Sequence, residues 1–171
     1  MKGYVHIYTG NGKGKTTAAL GLAIRAAGAG LKVFLAQFIK GRQYSELNTL
    51  SRLADQITVE QFGLPRFING KPSVPDIEAA RYGLGRVKST MVSGRFDVII
   101  VDEGNVAVTY GLISKQDLLE IIAMKPENVE LIITGRDALP EIIDQADLVT
   151  EMKAVKHYFN KGVDARPGIE K

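Results

Sequence analysis

The sequence predicts an α/β domain with a mainly parallel sheet of about six strands, and three observations carry that expectation. The apolar run Tyr4-Val5-His6-Ile7-Tyr8 leads directly into Thr9-Gly10-Asn11-Gly12-Lys13-Gly14-Lys15-Thr16-Thr17, which opens an Ala/Leu-rich helical pattern. Later apolar runs, at 32–38, 57–62, 98–101, 130–134 and 148–152, are separated by helical spacing, as strands joined by crossover helices should be. Charged and polar residues cluster just after several of those runs, at the carboxyl edge where open α/β sheets bind ligands.

Strand, glycine loop and helix in that order describe a phosphate-binding loop. Glycines at 10, 12 and 14 allow backbone conformations closed to residues with a Cβ, so that consecutive N–H groups can turn toward one anion. The positive end of the helix beginning near Lys15 points to the same place, and Lys15 adds a mobile charge. Thr16 offers a hydroxyl to Mg2+. The spelling departs from Gly-x-x-x-x-Gly-Lys-Ser/Thr at its first position, which is Thr9 with a glycine one residue later. A glycine-rich turn with a chance lysine would leave the flanking strand and helix unexplained.

Residues 15–27 read as a helix with a small-residue face of Ala18, Ala19, Leu22, Ala23 and Ala26, stopped by Gly28 and Gly30. After the second strand comes Ile39-Lys40-Gly41-Arg42, placing Lys40 and Arg42 where they can contact an anion or remain solvated loop charges. Ser45 can cap a short helix carrying Leu47, Leu50 and Leu53. Residues 63–75 form a long irregular stretch whose Phe67 and Ile68 either tuck against the body or face a partly apolar ligand. Ser73 and Asp76 form a capping-box pattern ahead of Ile77, Ala80, Leu84, Val87 and Met91. The strand Val98-Ile99-Ile100-Val101 ends in Asp102-Glu103, where a phosphate loop needs a carboxylate for magnesium. A further helix is capped at Ser114 with Asp117 and ends before Pro126. The fifth strand is followed by Gly135-Arg136-Asp137, and Arg136 either reaches phosphate or pairs with Asp137 or Glu141. A helix through Ile142 and Ile143 leads to the last strand.

At 171 residues, 45% of them hydrophobic, the chain fits one domain over 1–171 with a real core. The absence of cysteine excludes disulfides, thiolate metal sites and a cysteine nucleophile. Lys+Arg 22 against Asp+Glu 19 is a mild basic excess without runs of like charge, which favours an anionic ligand over a nucleic-acid groove. No apolar stretch approaches membrane-spanning length, and a soluble cytoplasmic protein is expected.

Several collinear stretches resemble the ATP:corrinoid adenosyltransferases of the CobA/CobO/BtuR type. They are Gly10 to Ala19, Gln37-Phe38-Ile39-Lys40-Gly41, Asp102-Glu103 with Asn105, Ala107, Tyr110 and Gly111, Ile132 to Arg136, and the tail from Val149 to Glu170. The resemblance implies a RecA-like phosphate-loop fold in three layers and transfer of the 5′-deoxyadenosyl group of ATP to the Co(I) centre of a reduced corrinoid, releasing triphosphate. It implies a loop that grips a leaving group, with ATP bound in the reverse sense from most phosphate-loop proteins. The residues then expected at the site are Gly10, Asn11, Gly12, Lys13, Gly14, Lys15, Thr16, Thr17, Lys40, Arg136 and Lys156 around the nucleotide, and Thr16, Asp102 and Glu103 at Mg2+. Lys15, Glu103 and Phe67 are expected to act in catalysis, and residues 152–171 to form a flap over the nucleotide. Many relatives carry Phe-Thr-Trp after the third strand; this chain has no tryptophan, so Phe67 or Phe62 is expected to press on the corrin face. Gly104 stands where relatives often have a larger apolar residue. His157 in the polar tail reads as a hydrogen-bonding residue, and His6 as a packed strand residue. A homodimer and a flavin-based protein or free flavin as cobalt reductant are implied as partners. Two other readings share the loop: a RecA-like ATPase acting on nucleic acid, and a non-catalytic nucleotide sensor.

Overall fold

A computed structural model describes residues 2–68 and 70–171. Six strands, β1 (Val5–Thr9), β2 (Val33–Phe38), β3 (Ile57–Phe62), β4 (Val98–Asp102), β5 (Glu130–Thr134) and β6 (Leu148–Glu151), form one sheet in the order β3-β2-β4-β5-β1-β6. All its pairings are parallel. Parallel neighbours require crossovers, supplied by α1 (Lys15–Gly28), α2 (Ser45–Leu50), α3 (Val74–Met91), α4 (Gly104–Thr109), α5 (Lys115–Met124) and α6 (Pro140–Ile143).

The central strands β2, β4 and β5 read as near-continuous apolar runs because both faces of the sheet are covered there, whereas the edge strand β6 is exposed along its length. On one face, Ala19, Ala23 and Ala26 of α1 meet Val33, Leu35, Val98, Ile100 and Ile132; their small side chains let the helix lie close to the sheet. On the other, Ala80, Leu84, Val87 and Met91 of α3 and Leu118 and Ile121 of α5 meet Phe34, Phe38, Ile99, Val101 and Ile133. The three layers leave the carboxyl ends of all six strands along one edge, and that edge carries the polar loops.

Both capping boxes form. The Ser73 N–H and hydroxyl donate to Asp76 at 2.8 and 2.6 Å, and Ser114 does the same to Asp117 at 2.8 and 2.7 Å. Two local expectations need correction. Ser45 is the first residue of α2, with Tyr44 at the cap, because its hydroxyl is engaged elsewhere, donating to the Lys171 carbonyl at 2.9 Å. The stretch after Asp102-Glu103 is a short helix, α4, that the sequence pattern did not announce. Gly104 permits it: a Cβ there would lie 2.8 Å from Val101 Cγ1 and 3.0 Å from Ile133 Cγ2, so a larger residue would push α4 off β4 and β5.

Candidate active site

The order of the strands sets which loops become neighbours. The glycine loop after β1 lies between the ends of β5 and β6, while the ends of β2 and β3 lie on the far side of β4.

At the centre is the Asp102 carboxylate, fully buried at the tip of β4. Its Oδ1 accepts hydrogen bonds from Thr16 at 2.8 Å and from Thr134 at 2.7 Å. Its Oδ2 accepts from Lys40 Nζ at 2.8 Å. Burial alone would lower the Lys40 ammonium, but Asp102 outweighs it and holds the pKa above the ordinary lysine value. The sequence placed Lys40 at the ligand edge; the fold aims its charge at a carboxylate. Thr134 was not anticipated, although a hydroxyl ending an apolar strand at this edge is the available signal. Thr16 and Asp102 supply hard oxygen donors beside the phosphate loop, a set suited to Mg2+, which takes one or two protein oxygens and completes its shell with phosphate and water. Among the described residues no group of three or more His, Cys, Asp or Glu gathers as a metal site.

In the loop itself, Lys15 Nζ donates to the carbonyls of Gly10 and Gly12, both at 2.7 Å, which folds the side chain back across the loop. Burial lowers its pKa, with Glu103 opposing. The glycines have a further reason besides phosphate. The Gly12 N–H donates to the Met152 carbonyl at 2.7 Å, so it is turned to the tail rather than to the anion. A Cβ at Gly10 or Gly12 would come within 2.4 or 2.7 Å of that carbonyl. The tail is tied down again where Ala154 N–H donates to Asn11 Oδ1 at 3.1 Å and where Lys13 donates to Glu170 at 2.6 Å and Tyr158 at 2.9 Å. Tyr158 and Glu170 fall within the tail stretch 149–170, where no local pattern marks them as partners of Lys13.

Two cavities open on this edge. One, of about 560 Å³, is lined by the loop from Asn11 to Thr17 and by His157, Phe159, Ile169 and Glu170 of the tail. The other, of about 200 Å³, is lined by Lys40, Arg42, Tyr44, Phe67, Ile68 and Tyr110. Glu103 and Arg136 line both. Glu103 is placed there by a left-handed backbone (φ 60°) at the start of α4, and its N–H donates to Thr134 Oγ1 at 3.0 Å. Burial, and next the Asp102 charge, raise its pKa.

Phe67 is 68% exposed and lines the second cavity, with the Arg42 guanidinium 4.8 Å from its ring centroid, while Ile68 packs against the core. Phe62 is buried against Phe38 and Tyr82 and does not reach the cavity. Arg42 also donates to the Pro65 carbonyl at 2.8 Å, so it braces the loop that carries Phe67. Lys156 is exposed and lines neither cavity, whereas its neighbour His157 lines the larger one. His157 Nδ1 accepts from the Phe159 N–H at 3.2 Å. His6 pairs with Glu130 at 2.6 Å on β1. No helix among the described residues is long and apolar enough to cross a membrane.

The chain resembles known proteins over nearly its whole length. Residues 1–170 match the family model described as ATP:corrinoid adenosyltransferase BtuR/CobO/CobP. The chain is 35% identical over 170 residues to the corrinoid adenosyltransferase of Escherichia coli (strain K12), covering 99% of this chain and 86% of that protein. It is 34% identical to the corrinoid adenosyltransferase CobA of Salmonella typhimurium over 99% of this chain and 86% of the relative. The Pseudomonas aeruginosa corrinoid adenosyltransferase is 32% identical, with 99% and 84% covered. The chain therefore belongs to the ATP:corrinoid adenosyltransferase family.

Proposed function

We propose that the protein transfers the 5′-deoxyadenosyl group of ATP to the Co(I) centre of a reduced corrinoid and releases triphosphate. The observation that carries the reading is the wall of Glu103 and Arg136 shared by the phosphate-loop cavity and the aromatic, basic cavity beside it. Two substrates seated on either side meet at that wall.

In the transfer, the Co(I) electron pair attacks the 5′ carbon, a cobalt–carbon bond forms, and the carbon–oxygen bond breaks with its electrons leaving on triphosphate. The cobalt is oxidised by two electrons and no proton has to move, so the site needs no general base. It needs alignment of the reacting atoms and stabilisation of charge on the departing group. Lys15 leaves the Gly10 and Gly12 carbonyls for the phosphates, and Arg136 approaches them from the end of β5. Magnesium, held by Thr16 and Asp102 with Glu103 beside them, would supply further charge stabilisation. Phe67 presses on the corrin face and keeps water from it; at about 200 Å³ the second cavity seats only part of so large a ring. Residues 152–171 form a flap that closes the nucleotide side. Because the reaction consumes Co(I), a separate reductant must supply it; a flavin-based donor and a homodimer rest on the family resemblance, as does a cytoplasmic setting.

The test is anaerobic incubation with MgATP and chemically reduced cobalamin, following the visible spectrum and separating the phosphate products. A light-sensitive cobalt–carbon product formed with an equal amount of triphosphate is expected. Orthophosphate without a spectral change would replace this reading with an ATPase, and binding without product would leave a nucleotide sensor.

A further inference from the structure

Glu170 is an acid where the electrostatics of a polyphosphate site would not place one. It lines the phosphate-loop cavity, and a bare carboxylate there would repel the triphosphate chain. Its charge is instead fully engaged. Arg166 donates from Nη2 to Oε1 at 3.2 Å, and from its backbone N–H and Nε to Oε2 at 2.9 and 3.3 Å. Lys13 Nζ donates to Oε1 at 2.6 Å and the Tyr158 hydroxyl bonds the same oxygen. Arg166, then Lys13 and Tyr158, hold the carboxyl well below the usual glutamate range.

The residues around Glu170 form a cradle of two cations, a hydroxyl and a backbone N–H. Such donors serve phosphate oxygens as well as carboxylate oxygens. The cradle is also not what fastens the start of the tail. That is done upstream, by Met152 N–H to the Thr9 carbonyl at 2.9 Å, Gly12 N–H to the Met152 carbonyl, and Ala154 to Asn11. Glu170 can therefore leave Lys13 without detaching residues 152–154.

We infer that Glu170 is an internal stand-in for a phosphate group: it fills the Lys13–Arg166–Tyr158 cradle in the empty enzyme, yields it to the polyphosphate chain, and on returning to Lys13 helps displace triphosphate. This rests on the reading of the loop as the ATP and triphosphate site. Filled by Glu170, the two cations are masked by one negative charge; vacated, both face the ligand.

Calorimetric titration of triphosphate and of MgATP into the full chain tests it, comparing wild type with Glu170→Gln, which keeps shape and removes charge. The variant is expected to bind triphosphate about threefold to fivefold tighter at low salt, the range of an exposed ion pair, with the gain shrinking as salt rises. Triphosphate then becomes a stronger product inhibitor by the same factor, and turnover falls without a rise in KM for ATP. Lys13→Gln binds triphosphate more weakly than wild type, and adding Glu170→Gln to it gives a smaller gain than in wild type, because only Arg166 is left to be unmasked. Equal or weaker triphosphate binding by Glu170→Gln alone would overturn the proposal and make the contact a simple clasp. A wild type that binds triphosphate but shows no Glu170 effect refutes this inference alone; one that binds neither ATP nor triphosphate overturns the nucleotide reading as well.

Discussion

Thr16 in the phosphate loop and Asp102 at the tip of β4 are 86 residues apart in sequence and joined by a 2.8 Å hydrogen bond. The bond couples the loop to the sheet, and it brings a hydroxyl and a carboxylate together as oxygen donors. Asp102 keeps Thr134 and Lys40 when the Thr16 hydroxyl is removed. Thr16→Val is therefore expected to change stability by no more than about 1 kcal/mol while lowering adenosyl transfer about 100-fold. Urea unfolding and the spectral assay, run on the same preparation, separate the two effects.

Asp102 itself carries a different cost. Its removal leaves the Lys40 ammonium, whose side chain is 13% exposed, without its close counter-charge. Asp102→Ala should destabilise the fold by about 3–5 kcal/mol, the range for breaking a buried pair from one side. Combining it with Lys40→Met should cost less than the sum of the two single changes, as read from urea midpoints.

The tail reports on the loop through Gly12. A Cβ there would meet the Met152 carbonyl oxygen at 2.7 Å and Lys153 backbone carbon at 2.8 Å, and neither is a flexible side-chain end. Gly12→Ala is expected to lift residues 152–154 and to speed tryptic cleavage after Lys153, Lys156 or Lys161. Unchanged proteolysis would mean that the tail is held without the loop.

Asp76 gives a pH signature remote from the chemistry. Burial alone would raise its pKa, but the Ser73 hydroxyl and N–H and the Arg66 guanidinium lower it below 3.8. The ionised carboxylate therefore stabilises the fold fully above pH 3.8, and that contribution is lost as pH falls through the lower native value. Asp76→Asn should cost about 1 kcal/mol at neutral pH, and the difference from wild type should narrow in acid. Urea unfolding across pH 7 to pH 3 checks the sign.

Phe67 offers a test of the second cavity that does not endanger the fold, because the ring is mostly exposed. Phe67→Ala should lower corrinoid turnover by about tenfold or more, the scale of losing one buried aromatic contact, and leave ATP binding unaltered. Equal turnover in variant and wild type would remove Phe67 from the corrinoid surface.

The sheet and its helices were legible because their signals are local. Alanines at helical spacing in α1, runs of β-branched residues in β4, and the Ser–Asp pairs ahead of α3 and α5 each act within a few residues. α4 was not legible, since six residues after an acidic pair carry too little periodicity, and what permits it is the close approach of Gly104 to Val101 and Ile133. The sequence put Lys40 in the loop after β2 but did not reveal its partner, Asp102, because side-chain direction depends on the neighbouring strand. Ser45 was misread for the same reason: its partner, the Lys171 carbonyl, comes from the far end of the chain.

By itself the sequence determined a parallel α/β domain, a glycine-rich loop between its first strand and first helix, carboxylates at the tip of another strand and a tail like that of the adenosyltransferases. These depend on residue type and short spacing, which set backbone conformation and burial directly. Only the tertiary structure decided that Asp102 is shared by Thr16, Thr134 and Lys40, that Glu103 and Arg136 line both cavities, and that Lys13 is held by Glu170. Those relations follow from the strand order β3-β2-β4-β5-β1-β6, which places loops distant in sequence side by side, and no local pattern encodes which loops become neighbours.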